Sequence, residues 1–467
     1  MTTEELETWA DDFVAFHARF AHLFARREPR QQAAKYLRGL LAPVERKNGW
    51  QLAETMGDRT PDATQRLLYQ ADWDADAARD SLIQFVIEQF GAEDGIGVVD
   101  ESGFLKKGLH SVGVKRQYSG TAGKIENCQI GTFLSYVGRG GHVFLDRRLY
   151  LPAEWCADPQ RRAAAKVPEA VVFQTKPEQA LAMLQYAWAQ GVPMRWVTGD
   201  EVYGESTALR EAIAASGRWY VRGVRSVLPV WPAPPAGSQP ALAPTDQATP
   251  GLAAAAPPAL PVAAVVDSWP LRNWQRLTVT EGEKGALTSD WACQRVIESR
   301  DGLPGPVSWL LARRSLSAPT EMAYYLAQAP IDTPLLKLAQ VASTRYTVEQ
   351  CIEEGKGETG LDQYEVRYWH SWYRHVTLSL LAHAWLASIR GKAIADSGGP
   401  EPFLAELTVP EVRRLLDVAL PLPPRSPELR LAWSNWRRAK RQQARRSHSH
   451  QRMQRPLRAL WYGGPAP

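Results

Sequence analysis

Cysteine is scarce: the 467 residues hold four, Cys128, Cys156, Cys293 and Cys351, far apart and with no C-x-x-C pair. That spacing supports neither a disulfide framework nor a zinc ribbon, and a reducing cytoplasm is the expected setting. Nowhere do about 18 apolar residues run without proline or charge, and the N-terminus, MTTEELETWADDF, lacks the basic and apolar stretches of a secretory leader. Export and a membrane span are therefore not expected. The G-x-S-x-G turn of a serine hydrolase is absent, His110 near Ser102 and Ser111 has no strand-elbow-helix context, and there is no G-x-x-x-x-G-K-[ST] phosphate loop. Internal repeats are lacking too. With 45% hydrophobic and 22% charged residues, the chain has ample means to fold.

Charge is unevenly placed. From Arg425 to Arg458 eleven Arg or Lys face one acid, Glu428, so this segment carries +10 against the chain's +5 and leaves the rest at −5. An acidic body with a basic tail points to a polyanion, because phosphate contacts release counterions. Arg437, Arg438, Lys440, Arg441, Arg445 and Arg446 are the densest candidates for DNA contact. Trp433, Trp436, Trp461 and Tyr462 interleave with them, suited either to stack on bases or to pack on the body.

Residues 1–90 read as helical, because Trp9, Phe13, Phe16, Phe20 and Leu23 keep one amphipathic face. Segments beginning near Glu45 and Thr60 resemble the starts of helices in a helix-turn-helix unit, with Thr60 and Pro61 suited to cap and first-turn positions. This is the candidate DNA-reading domain. Beyond Gly91 strand patterns take over: 96–100, 111–118, 129–136 and 143–151, then a helix over 176–190, a strand over 194–198, a helix over 206–216 and a strand over 219–223. Antiparallel strands followed by strand-helix alternation predict an α/β fold with an RNase H-like core, its first part over 91–223. Ten of the chain's 34 prolines lie within 229–261, which reads as a linker. Strand-like runs over 277–280, 293–298, 309–312 and 322–327 predict a β-rich insertion spanning 224–330. Its Trp269, Trp274, Trp291 and Trp309 are suited to a small β core. Helix resumes over 331–395 as the second part of the core. A helix over 408–420 and the basic tail, helical or disordered, complete 396–467.

Two acids are placed as metal ligands would be. Asp100 and Asp200 each follow an apolar strand, and neighbouring strand ends can hold two carboxylates close enough to share hard divalent cations. A turn or helix-cap role explains either acid alone. A third acid lies in the helical stretch RYTVEQCIEEGK, where Arg345, Glu349 and Lys356 share one face at 100° per residue. Glu353 lies near that face too, so spacing leaves both glutamates eligible, and an exposed salt-bridged helix accounts for the same pattern.

The runs VVDESGFLKKGLHSVGVKRQYSG from Val98, TGDEVYG from Thr198 and EEGKGETGLDQYEVR from Glu353 resemble those of bacterial DDE transposases of insertion-sequence family 701. The resemblance spans the N-terminal helices to about Ala387. It implies that Asp100, Asp200 and Glu349 are the catalytic, metal-binding triad of the RNase H-like core, holding two Mg²⁺ (or Mn²⁺) ions. The related insertion-sequence 4 superfamily carries a Tyr, Arg, Glu, Lys signature; Arg345, Glu349 and Lys356 match it, Ala342 stands at the tyrosine position, and Tyr346 is out of register. Arg345 and Lys356 are then expected to grip phosphate, and Lys106, Lys107, Lys115 and Arg116 either to line the approach or simply to be solvated; related hairpin-forming transposases stack a flipped base on an aromatic of the insertion, a role the resemblance offers to Trp269, Trp274, Trp291 and Trp309. The implied partner is double-stranded DNA, both element ends and target, bound by a homodimer at the bacterial nucleoid. The competing expectation is a non-cutting DNA-binding protein that keeps the fold.

Overall fold

A computed structural model describes residues 3–232, 258–282, 285–300, 302–396 and 406–453. Most of the Ala/Pro-rich stretch, with Trp461 and Tyr462, lies outside them.

Five helices come first: α1 (Thr3–Ala18), α2 (Arg27–Leu41), α3 (Gly49–Thr55), α4 (Asp62–Tyr69) and α5 (Ala75–Phe90). Trp9, Phe13 and Phe16 are buried along α1, as their spacing requires. Asn48 caps α3 by accepting from the Trp50 and Gln51 amides. Helix α4 begins one residue later than expected: Pro61 is its cap residue, and the Thr60 hydroxyl donates to the Asp62 carboxylate at 2.9 Å.

The sheet follows with β1 (Gly95–Leu105), β2 (Lys115–Ser119), β3 (Lys124–Gly138) and β4 (Gly141–Leu149); short helices α6 (Ala153–Cys156) and α7 (Pro159–Ala164) then lead to α8 (Lys176–Ala189). A reciprocal capping box between Thr175 and Glu178, with Pro177 in the first turn, starts α8 where expected. Next come β5 (Met194–Gly199), α9 (Glu201–Gly204), α10 (Thr207–Ala215) and β6 (Trp219–Val224). Strands β4, β3, β1, β5 and β6 lie side by side in that order. Antiparallel pairing joins the first three, whereas β1, β5 and β6 run parallel. This meander continued by parallel crossovers is the RNase H-like core. Strand β1 sits at its centre, and Ile96 to Val99 are buried without alternation, as a strand covered on both faces requires.

The sheet does not stop at β6. Strands β7 (Pro229–Trp231) and β8 (Leu260–Pro261), helix α11 (Val262–Asp267), then β9 (Gln275–Gly282), β10 (Gly285–Arg300), β11 (Leu303–Arg314) and β12 (Met322–Gln328) follow. Because β12 pairs antiparallel with β6, the inserted strands extend the core sheet to twelve strands among the described residues. The two ends of the expected linker are strands, not linker: Val230 and Trp231 are buried and pair with β10. The insertion tryptophans belong to the protein's own packing. Trp291 is fully buried and stacked on Tyr325, Trp269 is buried, and Trp274 and Trp309 lie under Arg314 and Arg295. Burial at Trp269 and Trp291 overrules base stacking by those two.

Helices α12 (Leu335–Ser343), α13 (Arg345–Thr359), α14 (Trp369–Asp396), α15 (Val409–Ala419) and α16 (Pro427–Met453) close the chain. Gly360, with φ 66°, ends α13 in the left-handed conformation. One hydrophobic core runs from α1 through the sheet to α14 and α15, so the N-terminal helices are not a detached module. Ion pairs reinforce that union: the buried Asp146 of β4 meets the buried Arg79 of α5 at 3.0 Å and Arg147 at 3.1 Å, and Arg147 reaches the exposed Asp76 at 2.9 Å.

A candidate active site where two parallel strands part

The β1–β5 ladder runs in parallel register up to Val99 opposite Gly199. Asp100 and Asp200 are the next residue on each strand, so the pairing sets the two acids side by side. Gly199 permits the approach, because a Cβ there would meet Val99 Cγ2 at 2.9 Å. Asp100 itself is not at a strand end, as the sequence pattern suggested. Strand β1 continues to Leu105 by pairing with β3 alone, so Asp100 marks where β5 departs. Asp200 does end its strand, and its Oδ1 accepts the Val202 amide at 2.9 Å and the Tyr203 amide at 3.4 Å, capping α9.

The electrostatics are those of acids held too close. Burial raises the Asp100 carboxyl to about 7, with Asp200 and Glu101 adding repulsion, while the Glu101 amide at 2.7 Å and Arg345 pull the other way. Asp200 is raised as well, by burial first and then by Glu101. Glu101 is the functional neighbour that sequence reasoning passed over. It is ion-paired with Lys176, accepts the Tyr203 hydroxyl at 2.6 Å and adds negative potential to both aspartates. The D-E doublet at 100–101 was the available signal; Lys176 and Tyr203 left none.

Glu349 lies on α13, which packs across β1, β3 and β4. Its carboxylate is half exposed and paired with Arg345 at 3.2 Å. Arg345 in turn lowers the pKa of both Asp100 and Asp200. The structure thus brings Asp100 and Asp200 together and links Glu349 to them through one guanidinium. Among the described residues, the three carboxylates do not form a set with ligand atoms all within 4.8 Å of one another. Lys356 shares the helix face of Arg345 but sits eleven residues on, about 16 Å along the axis. There its Nζ donates to the Thr121 hydroxyl at 2.9 Å. Lys106 is not simply solvated: it lies over the Tyr364 ring at 3.6 Å, and burial lowers its pKa to about 8. Lys115 pairs with Glu154, while Lys107 and Arg116 are exposed. Tyr346, out of register in sequence, is exposed and lies beside Arg345 and Arg313.

The basic tail is helical as far as it is described, and its root is docked. Trp433 is buried, its indole N–H donating to the Asp58 carbonyl at 2.8 Å. Trp436 meets Trp50 of α3 edge-on at 4.5 Å, and Arg437 pairs with Glu54 at 2.5 Å. These two tryptophans therefore pack on the body. From Arg437 onward every described side chain is exposed, which leaves Arg438, Lys440, Arg441, Arg445 and Arg446 on an outward-facing helix anchored beside α3 and α4.

A family described as "DDE superfamily endonuclease" matches residues 19–286 of the chain. A "Probable transposase for insertion sequence element IS701" from Microchaete diplosiphon is 28% identical over 176 residues, which is 38% of this chain and 43% of that protein. The match thus spans less than half of that relative's length. The family match contains Asp100 and Asp200; Arg345, Glu349 and Lys356 lie beyond it. Among the described residues no helix is long and apolar enough to cross a membrane.

Proposed function

Because the chain belongs to the DDE superfamily endonucleases, matched over more than half its length, we propose that it is a transposase that cuts and rejoins DNA at the ends of an insertion sequence. The observation that carries this reading is the pair Asp100 and Asp200, set side by side by the β1–β5 register with Asp100 raised to about 7. Two carboxylates that repel each other in a half-buried, all-oxygen setting are suited to hard divalent cations, which supply the missing positive charge. Asp100, Asp200 and Glu349 would hold two Mg²⁺ or Mn²⁺ ions, which when bound acidify the attacking hydroxyl and stabilise the leaving oxygen of a phosphodiester.

The remaining work falls to the chain's own groups. Arg345 neutralises the acids and is placed to meet phosphate beside them. Glu349, which shares Arg345 with both aspartates, would supply the third carboxylate. Glu101, fixed by Lys176 and Tyr203, sustains the negative potential that draws cations in. Lys356, with Thr121, offers a second phosphate contact about 16 Å along α13. The face formed by α3, α4 and the outer part of α16 supplies duplex binding, and a homodimer would present one such face to each element end in the bacterial nucleoid. Nicking of a labelled duplex carrying the element's ends, with and without Mg²⁺, tests the proposal. Metal-dependent nicking that Asp100→Asn and Asp200→Asn each abolish is expected. DNA binding without nicking in any divalent metal would return the protein to a non-cutting role.

A further inference from the structure

Among the described residues, one set of three metal-ligating side chains has ligand atoms all within 4.8 Å of one another: His142, Glu354 and His383. They come from β4, α13 and α14 and are nearly closed off, with side-chain exposures of 10%, 6% and 0%. Both imidazole Nε2 atoms lie 2.9 Å from the same carboxylate oxygen, Oε2 of Glu354. The other oxygen faces the Gln350 amide at 3.4 Å. This is a buried carboxylate near the Phe144 ring, which packs on His383 at 5.1 Å, and, against burial, the hydrogen bonds and charge of the two imidazoles hold its carboxyl below the ordinary range. A buried carboxylate is costly unless positive charge meets it, and these imidazoles or a cation between them can supply it.

We propose that His142, Glu354 and His383 form a transition-metal site, best suited to Zn²⁺, which pins α13 to β4 and α14. Two imidazole nitrogens and one carboxylate oxygen are a borderline donor set, favouring zinc over the Mg²⁺ that an all-oxygen cleft selects. Ligand bonds of about 2.0 to 2.2 Å in a tetrahedral arrangement put donor atoms roughly 3.3 Å apart. The 2.9 Å separations seen here therefore need to open by only a few tenths of an ångström. To ligate through Nε2, each ring would carry its proton on Nδ1. His383 Nδ1 has no hydrogen-bond partner, so this ring lacks the outer hydrogen bond that braces the ligands of the tightest zinc centres, and the site should release its ion to a strong chelator.

Metal content does not depend on the transposase reading, so either can fail alone. The full-length protein is loaded with Zn²⁺, dialysed against metal-free buffer and its zinc counted by elemental mass spectrometry. The wild type is expected to keep about one equivalent, as is an Asp100→Asn, Asp200→Asn double variant that disables the acidic cleft. His142→Gln with His383→Gln should fall to background. Cobalt loading of the wild type should give visible absorption of tetrahedral strength, a readout independent of whether the variants fold. Failure of the wild type to retain zinc or show the cobalt bands, or equal zinc retention by the His142→Gln, His383→Gln variant, would overturn the site and leave a hydrogen-bonded clamp.

Discussion

Replacing Asp100 by Asn should stabilise the metal-free protein at neutral pH while ending DNA cleavage. Burial, followed by the charges of Asp200 and Glu101, lifts this carboxyl from an ordinary 3.8 to about 7. At about 1.4 kcal/mol per tenfold, ionising Asp100 costs on the order of 4 kcal/mol more in the folded chain than in the unfolded one. The sign follows from proton counting. Between the two values the folded state binds more protons, so stability falls as pH rises from about 4 to about 7 and stays lowered above that. Asn carries no charge to repel Asp200, and its carbonyl can still accept the Glu101 amide. Since the side chain is only partly shielded, a gain of roughly 1 to 3 kcal/mol is expected at about pH 8, shrinking toward zero at about pH 4. Urea unfolding of both proteins in chelator at several pH values measures it. Added Mg²⁺ should stabilise the wild type and leave the variant unmoved. A destabilising Asn at about pH 8, or a gain equal at both ends of the pH range, would refute the picture of a carboxylate held against its charge.

Three other outcomes can be checked. Glu298 is buried between Arg222 at 3.3 Å and Arg210 at 3.9 Å and accepts the Ser308 hydroxyl at 2.6 Å; Glu298→Ala strands two guanidiniums and should cost about 3 to 5 kcal/mol, read from the urea midpoint, whereas a cost under about 1 kcal/mol would show that solvent reaches them. Glu349→Gln should abolish nicking and Glu353→Gln should not; the reverse result in cleavage assays would move the third acid to Glu353. Truncation after Lys440 keeps the docked Trp433, Trp436 and Arg437 but removes the exposed cations beyond, and should flatten the dependence of log affinity on log salt by roughly two to five, at about 0.9 for each DNA phosphate no longer neutralised. An unchanged slope would make the outer helix a solubilising extension.

Much was legible in the chain because it is written locally. Apolar runs without alternation marked the central strands, and the 3.6-residue rhythm from Trp9 marked α1. Asp100 and Asp200 were recognisable because each ends an apolar run that sterics confine to a strand. The basic charge of the tail needed only counting. What the tertiary structure alone decided are matters of register, depth and distance between remote segments. That Asp100 lies within β1 follows from how far β3 outruns β5 alongside it. The joining of the inserted strands to the core depends on one pairing, β12 with β6. Arg345 and Lys356 share a helix face, yet only the placement of α13 across the sheet puts one at the acids and the other at Thr121. Trp433 and Trp436 were free to meet bases until α3 and Asp58 claimed them. His142, Glu354 and His383 carry no motif, since they lie on a strand and two helices whose contact is fixed by packing of the whole core. Periodicity constrains neighbours within a few residues; which faces then meet is a many-body choice of the folded chain, made where burial and charge can both be satisfied.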